Sequence, residues 1–218
     1  MDAELGNIIG NTLIMCFSSS ITALILGLGI GYLISFFNFK GKKVLIIINR
    51  TLSGVPPVVC GLICWLVFSG TGPLGFMNLL FTIPGMIIAQ VLLITPIVAA
   101  STESFVNPIA PRIRETCVGL NLPRKKAFLL TLNESKYQIL STYLLAFSRA
   151  IAEVGAVSMV GGAIAWKTKV MTTAIMQYIN MGNTKYALIL GGILLGFGLL
   201  VNAGISIIQF KVTKNENN

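Results

Sequence analysis

Residues able to do chemistry are scarce in this 218-residue chain, and their types exclude most catalytic sites. The chain contains no histidine, which removes the commonest general base and the commonest metal ligand. Cys60 and Cys64 lie four residues apart inside an apolar run, where a zinc site would want closer pairs and polar surroundings. We therefore interpret the four cysteines as buried, reduced residues and predict no catalytic residue and no metal site.

Two opposite charges stand inside another apolar run. Arg149 and Glu153 are four residues apart, which predicts that they share one face of a helix. A charge within a membrane span is costly and usually faces the interior of the helix bundle. The pair is either a mutually neutralising structural contact or a place where Arg149, near the cytoplasmic mouth, holds pore helices in register or meets an anion. Ser158 follows among glycines, as in a close helix crossing or a pore wall.

Prolines interrupt two further apolar runs beside small polar residues. Pro56 and Pro57 remove helix hydrogen bonds close to Thr51 and Ser53, and we expect a second broken helix at Thr95-Pro96. The freed carbonyls need another donor or a water-lined cavity. The interruptions are either kinks satisfied by neighbouring helices or parts of a polar path. The candidate path residues are Thr51, Ser53, Pro56, Pro57, Thr95, Pro96, Arg149, Glu153 and Ser158.

The stretch 112–136 concentrates charge in a chain that is otherwise apolar. It carries six Lys or Arg and two Glu, at positions 112, 114, 115, 124, 125, 126, 134 and 136. Long hydrophobic runs lie on both sides, so the stretch must face water between two membrane segments. We predict a helical, water-facing loop over about 103–138 that contacts a soluble partner and receives force from it.

The elements that position these residues are membrane-spanning helices. The chain is 55% hydrophobic and 11% charged, whereas soluble domains average about 25% charged residues. Five runs reach the roughly 20 apolar residues that a spanning helix needs, at about 13–37, 44–69, 79–101, 139–165 and 186–210. We predict an all-α integral membrane protein with five transmembrane helices in one domain, 1–218.

Loop charges predict the orientation. Lys40, Lys42 and Lys43, the stretch 112–136, and Lys211 and Lys214 fall on one side. This positive-inside pattern places them in the cytoplasm, with the N-terminus outside and the C-terminus inside. It also explains the net charge of +9 without nucleic-acid binding. Three lysines on the opposite side, at 167, 169 and 185, weaken the asymmetry without reversing it.

Small residues and near-motifs complete the pattern. Gly27 with Gly31, and Gly192 with Gly196, are spaced so that helix backbones can approach closely. The segment 161–168 imitates a phosphate-binding loop but has Trp166 where the second glycine is required. Any ATP is therefore hydrolysed on another chain. The segment 167–185 predicts a helix on the outer surface, either passive or a docking surface for an external protein.

The charged stretch resembles the EAA loop of ABC importer permeases. The family pattern is Glu-Ala-Ala, three residues and Gly; here Glu115, Thr116 and Cys117 are followed after three residues by Asn121. The glycine serves a turn that needs a left-handed residue, and Asn tolerates that conformation best among the other residues. The family prolines near 133 and 137 are absent, so we expect the second half of the loop to be more continuously helical.

The resemblance extends along nearly the whole chain. Residues 50–62 (RTLSGVPPVVCGL), 72–75 (GPLG), 94–100 (ITPIVAA) and 146–162 (AFSRAIAEVGAVSMVGG) look like the molybdate, sulfate and tungstate branch, and most like tungstate permeases. The chain is thereby identified as a type I importer permease-like subunit of a bacterial or archaeal plasma membrane.

The resemblance implies a set of partners. Two copies of the chain would form a pore, two ATP-binding cassette subunits would grip the loops and hold ATP and Mg, and an extracellular or periplasmic protein would deliver the oxyanion. No cofactor is implied on this chain. The resemblance assigns ATPase coupling to Arg114, Glu115, Thr116, Cys117, Gly119, Asn121, Arg124 and Lys125.

Other functions fit less well. A molybdate or sulfate permease differs only in the oxyanion. A secondary transporter or channel would need no motor, but five spans, no visible repeat and one structured loop argue against it. A membrane enzyme lacks the residues for catalysis.

Overall fold

The computed structural model describes residues 2–37 and 39–216, with side chains over 3–37, 39–123, 125–204 and 206–207. The described residues are helical, without strands, and a short 3₁₀ turn lies at Gly75–Met77. The helices are α1 (Asp2–Phe36), α2 (Lys42–Ser53), α3 (Pro57–Phe68), α4 (Ile83–Gly119), α5 (Arg124–Glu134), α6 (Lys136–Ile151), α7 (Gly155–Gly161), α8 (Met171–Asn180) and α9 (Thr184–Glu216).

The long helices and two bent helix pairs account for the predicted spans. Over the described residues, segments of α1, α4 and α9 are long and apolar enough to cross a membrane. The pairs α2 with α3 and α6 with α7 also qualify, but they bend by 98° and 56° at short breaks. Residues 2–37 and 39–216 therefore contain three to five candidate spans, depending on whether each bent pair is one span. The all-helical membrane class is confirmed.

Helices α1 and α4 form the largest helix contact, and glycines make it possible. A Cβ added to Gly27 would lie 2.5 Å from Cγ1 of Val98. A Cβ on Gly31 would overlap Cβ of Thr102 and lie 2.8 Å from the carbonyl oxygen of Ala99. The predicted close approach at this glycine pair is confirmed, and it brings the two backbones nearly into contact.

The second glycine pair behaves differently. A Cβ on Gly192 or Gly196 would meet no atom within 4 Å. Helix α9 instead packs on the rest of the chain through Leu190, Leu194 and Phe197. The expectation that this pair supports a helix contact is wrong for the single chain, because these glycines lie on the face of α9 that no described neighbour covers.

A buried amide joins three helices at the centre. The Gln90 side chain of α4 accepts a hydrogen bond from Oγ of Ser19 in α1 at 2.7 Å. Its Nε2 donates to the carbonyl oxygen of Ala150 in α6 at 3.0 Å. Ala150 lies in the last turn of α6, and its carbonyl also accepts from the N–H of Glu153 at 3.3 Å. Gln90 therefore links the end of α6 to α1 and α4 inside the apolar core.

The helix α4 is continuous where a break was expected. It runs through Pro96 and through two later prolines, so the predicted interruption at Thr95-Pro96 is wrong. One proline removes one hydrogen bond, here to the carbonyl of Leu92. The close packing against α1 holds the remaining turns in place. The side-chain amide of Asn49 also donates to the carbonyl oxygen of Pro96 at 3.2 Å.

The N-terminal end of α1 is fastened to the segment before α8. Lys169 is 7% exposed, and its Nζ lies 3.0 Å from Oε1 of Glu4. The backbone N–H of Met171 donates to Oγ1 of Thr12 at 2.9 Å. The predicted helix in 167–185 is confirmed as α8, but the first half of α8 is buried against α1 and α9 instead of lying on a surface.

We predict that Gly31→Ala lowers the stability of the protein by about 1–3 kcal/mol, because the added methyl group overlaps Thr102 and the α4 backbone. The matched control is Gly29→Ala in the same helix, where a Cβ meets no atom within 4 Å. Thermal unfolding in detergent compares the two. Equal melting temperatures would contradict the proposed close contact of α1 and α4.

Candidate functional site

The turn between α4 and α5 has the hydrogen bonds of a Schellman motif. The N–H of Leu122 donates to the carbonyl of Cys117 at 2.8 Å, and the N–H of Asn121 donates to that of Val118 at 3.0 Å. Asn121 has φ 55°, the left-handed conformation expected from the sequence. An asparagine can hold this position because it pays a smaller steric penalty there than other non-glycine residues.

Most residues that the resemblance assigned to coupling are exposed around this turn. Arg114, Glu115, Thr116, Gly119 and Lys125 are accessible, as is Asn121, whereas Cys117 is buried. The side chain of Arg124 lies outside the described residues. We call residues 114–125 the α4–α5 turn surface. The α4–α5 turn surface exposes cations and the carboxylate of Glu115, and the thiol of Cys117 is buried beneath it.

The helix before the turn is longer than expected. The predicted loop over about 103–138 does not start as a separate element, because residues 103–119 belong to the 37-residue helix α4. Only α5, with 11 residues, is short. The turn surface is therefore the end of a helix that continues into the apolar part of the chain.

The joint between α5 and α6 is a single residue, Ser135. Backbone hydrogen bonds continue across it, from Ser135 N to Thr131 O at 3.1 Å and from Ile139 N to Ser135 O at 2.9 Å. Because no proline lies here, the hydrogen-bonded pattern is only slightly disturbed. The expectation of a nearly continuous second half agrees with this geometry.

Aromatic rings couple α5 to α1. Phe128 of α5 makes edge contacts with Tyr32 and Phe36 of α1, at ring-centroid distances of 5.5 and 6.0 Å. Tyr32 also packs in a buried cluster with Val106 and Ala110 of α4. Displacement of α5 would therefore move α1 through the contacts of Phe128, and α4 through the cluster around Tyr32.

Two grooves flank the turn surface. One, of about 590 Å³, lies between the end of α4, α5 and the start of α6, and includes Thr116 and Tyr137. The other, of about 650 Å³, lies between the end of α1, the start of α2 and α4, and includes Lys42 and Glu115. The α4–α5 turn surface is therefore bordered by two concave grooves and is not flat.

The second region of interest is where the two bent helix pairs meet. A Cβ on Gly155, at the start of α7, would lie 2.8 Å from Cγ2 and 3.1 Å from the backbone nitrogen of Val58 in α3. A Cβ on Gly61 would lie 2.7 Å from Cα of Ala156. We call residues 54–58 and 152–156 the break junction. Glycine lets the starts of α3 and α7 touch there.

Arg149 and Glu153 form an ion pair across the break junction. Nη1 of Arg149 lies 2.9 Å from Oε2 of Glu153, and the side chains are 31% and 1% exposed. Helix α6 ends at Ile151, so the expected shared helix face is wrong although the pair exists. The other carboxylate oxygen accepts from Ala156 N at 3.0 Å, and the Glu153 carbonyl accepts from Oγ1 of Thr172 at 3.2 Å.

The other candidate path residues divide into two groups. Thr51, Pro56 and Ser158 are exposed near the break junction, and Ser53 and Pro57 are half-buried. Thr95 and Pro96 lie elsewhere. They belong to the unbroken α4, and the carbonyl oxygen of Thr95 faces Gly27 of α1.

The hydroxyl protons of the first group are already used. Thr51 donates to Ile47 O at 2.9 Å, and Ser158 donates to Gly155 O at 3.0 Å. Ser53 donates to the carbonyl of Arg50 at 2.7 Å. These hydroxyls cap or back-bond their own helices, so they offer acceptors rather than donors in this conformation.

Two polar contacts in the structure were not predicted from the sequence. Nη2 of Arg50 in α2 lies 2.9 Å from Oε2 of Glu103 in α4, with side-chain exposures of 61% and 8%. Gln90 forms the other contact described above. Gln90 is the one amide side chain in the apolar run 79–101, and that isolation was the available signal. Arg50 and Glu103 lie 53 residues apart in sequence, so no local spacing indicates their contact.

We predict that Asn121→Val destabilises the α4–α5 turn by about 1–2 kcal/mol, because a β-branched residue resists the left-handed conformation. Asn121→Gly keeps the turn without that steric cost. Hydrogen exchange at residues 117–122 measures the difference. Equal protection in the two variants would contradict the strain argument.

Comparison with known proteins identifies the group to which the chain belongs. Residues 23–214 match the family of binding-protein-dependent transport system inner membrane components. A probable anion ABC transporter permease protein of Haloferax volcanii is 38% identical over 183 residues, covering 82% of this chain and 79% of the relative. The tungstate uptake system permease protein TupB of Peptoclostridium acidaminophilum is 36% identical over 194 residues, covering 88% and 85%.

More distant similarity agrees. The sulfate transport system permease protein CysW of Synechococcus elongatus is 30% identical over 203 residues, covering 88% of this chain and 71% of the relative. The fold matches a chain of the MetNI methionine ABC transporter, solved in inward-facing conformations, with a TM-score of 0.73 over 96% of each chain at 18% identity.

These findings confirm the resemblance to ABC importer permeases of the oxyanion branch and the type I importer fold. The chain is a multi-pass membrane translocation component of a bacterium or archaeon, and its relatives are permeases rather than ATPases. The chain belongs to the family of binding-protein-dependent transport system inner membrane components.

Proposed function

We propose that this chain is the pore-forming subunit of an ATP-driven oxyanion importer and that its substrate is tungstate. The substrate assignment draws on the relatives, two of which are tungstate uptake permeases at 36% and 33% identity. The coupling role draws on the geometry. The observation that carries it is an exposed turn around Glu115 at the end of a helix that continues unbroken into the apolar part of the chain.

The proposed assembly contains two copies of this chain, two ATP-binding cassette subunits and an external oxyanion-binding protein. ATP and Mg would be held by the cassette subunits. The α4–α5 turn surface would be the contact with each cassette subunit, through the exposed residues of 114–125. The aromatic contacts of Phe128 would pass movement of α5 to α1, and the Tyr32 cluster would pass it to α4.

The proposed orientation places the turn surface in the cytoplasm and the start of α1 outside. The three lysines on the outer side were the weak point of the charge argument. Lys169 is paired with Glu4 and buried, so it contributes little net charge to the outer surface.

The proposed path runs along the break junction. A tetrahedral dianion crosses a pore when several weak contacts replace its water, and a fixed unpaired cation would retain it. The surface beside the junction offers the exposed Thr51 and Ser158 and one charge-compensated arginine, Arg149. This favours passage over storage.

Reconstituted transport tests the proposed function. The chain is inserted into proteoliposomes with its cassette subunits, and uptake of radiolabelled tungstate is measured with loaded binding protein outside and ATP inside. We expect uptake only with hydrolysable ATP and all partners present. Uptake by the chain alone without ATP would contradict the proposal and favour a motor-independent transporter or channel.

We predict that Glu115→Lys lowers ATP-driven uptake by about tenfold or more, because reversing the charge at the head of the turn opposes docking of the cassette subunit. The variant should still insert and unfold at the wild-type temperature, since Glu115 is exposed.

The comparison variant is Glu134→Lys, which makes the same charge change within the same charged stretch but outside residues 114–125, so it separates an effect of the turn surface from an effect of charge anywhere in the loop. Co-purification of the cassette subunit is measured beside uptake. Normal uptake and unchanged co-purification by Glu115→Lys would count against coupling through this turn.

A further inference from the structure

Arg149 is a charged residue that the break junction leaves partly uncovered. Its side chain is 31% exposed, while its partner Glu153 is 1% exposed. An arginine that faced lipid within a span would be costly, so its exposed part must face water or another polar surface. We propose that Arg149 contacts the oxyanion as it crosses the pore and that Glu153 limits how tightly Arg149 holds it. This inference rests on the proposed oxyanion import.

Arg149 has N–H donors available, whereas the hydroxyl groups near it do not. The hydroxyls of Thr51, Ser53 and Ser158 donate to carbonyls of their own helices. A guanidinium carries five N–H donors, and the contact of Arg149 with Glu153 runs through one nitrogen, Nη1. Arg149 therefore retains N–H groups for an anion on its exposed side.

Glu153 is fixed in place, so it compensates Arg149 at all times. Oε1 of Glu153 accepts from the N–H of Ala156 at 3.0 Å, while Oε2 lies 2.9 Å from Nη1 of Arg149. The backbone carbonyl of Glu153 is held by Thr172. A carboxylate held at both oxygens, on a backbone that is itself held by Thr172, does not swing away when an anion arrives. The anion therefore meets a neutral pair with free N–H groups instead of a bare cation.

The sign of each charge change follows. Removing the charge of Glu153 alone leaves a cation facing the path, so the anion binds more tightly and leaves more slowly. Removing both charges deletes the donor without leaving an unpaired buried charge, so the anion binds more weakly. A purely structural pair predicts the same anion affinity as wild type once both charges are replaced together.

A second pair serves as a matched control. Lys169 and Glu4 are 3.0 Å apart and mostly buried, at 7% and 24% exposure, and they lie at the N-terminal end of α1. The Lys169 ammonium also lies 5.7 Å from the ring centroid of Tyr178, so it points into protein. Neutralising this pair changes charge and burial in a similar way, away from the break junction.

The experiment uses the complete complex of permease and cassette subunits in lipid nanodiscs, without binding protein. Equilibrium dialysis measures binding of radiolabelled tungstate to wild type, Glu153→Gln, Arg149→Met with Glu153→Gln, and Lys169→Met with Glu4→Gln. The same complexes are assayed for ATP-driven uptake with binding protein. Glutamine at 153 keeps an oxygen that can accept from Ala156.

We expect Glu153→Gln to bind tungstate about tenfold more tightly and to import it more slowly. The double variant at 149 and 153 should bind about tenfold more weakly, and the Lys169 and Glu4 variant should match wild type. If the Glu153→Gln complex does not assemble, tungstate binding by the double variant at 149 and 153 still tests the inference.

Wild-type binding and uptake by the double variant at 149 and 153 would overturn this inference while leaving oxyanion import intact. An equal loss of binding in the Lys169 and Glu4 variant would also overturn it, because the effect would then belong to any buried pair. Absence of ATP-driven uptake by the wild-type complex would overturn the proposed function itself.

Discussion

Each polar group that this chain carries into the bilayer has to find its partner within the protein, because lipid supplies none. Glu153 is matched by Arg149 and by the first turn of α7, and Glu103 is matched by Arg50. Gln90 joins the end of α6 to α4 and α1. The contacts of Gln90 and of Arg50 join helices that are distant in sequence, whereas the contacts of Glu153 with Arg149 and Ala156 are local to the second break.

The same constraint sets where helices can break. The chain interrupts its apolar segments at 54–56 and 152–154, and both interruptions lie where α3 and α7 touch. A break exposes backbone groups that must be satisfied. At the second break, the carboxylate of Glu153 and the hydroxyl of Thr172 supply partners. The two breaks therefore lie side by side, with the exposed Thr51 and Ser158 close to them.

Sequence reasoning succeeded where a local pattern carries the physics. The apolar runs predicted the helical membrane class, and the position of Asn121 predicted its left-handed turn. It failed where packing between distant segments decides. Pro96 suggested a break, but α1 and Asn49 support the helix through it. The spacing of Arg149 and Glu153 suggested a common helix face, yet α6 ends at Ile151; the carboxylate of Glu153 instead accepts from the N–H of Ala156 in the first turn of α7, and Thr172 of α8 holds its backbone carbonyl.

The unbroken course of α4 has a mechanical consequence. Its 37 residues extend about 55 Å at 1.5 Å per residue, and they carry both the exposed Glu115 and the buried Gln90. Gln90 holds the carbonyl of Ala150, the neighbour of Arg149. A helix broken at Thr95-Pro96 would absorb a displacement of the turn in a hinge. A continuous helix packed closely on α1 at Gly27 and Gly31 instead carries that displacement to Ala150, the neighbour of the proposed anion contact Arg149. Packing thus keeps α4 continuous at Pro96, where the sequence suggested a break. One helix therefore connects the turn surface to the break junction.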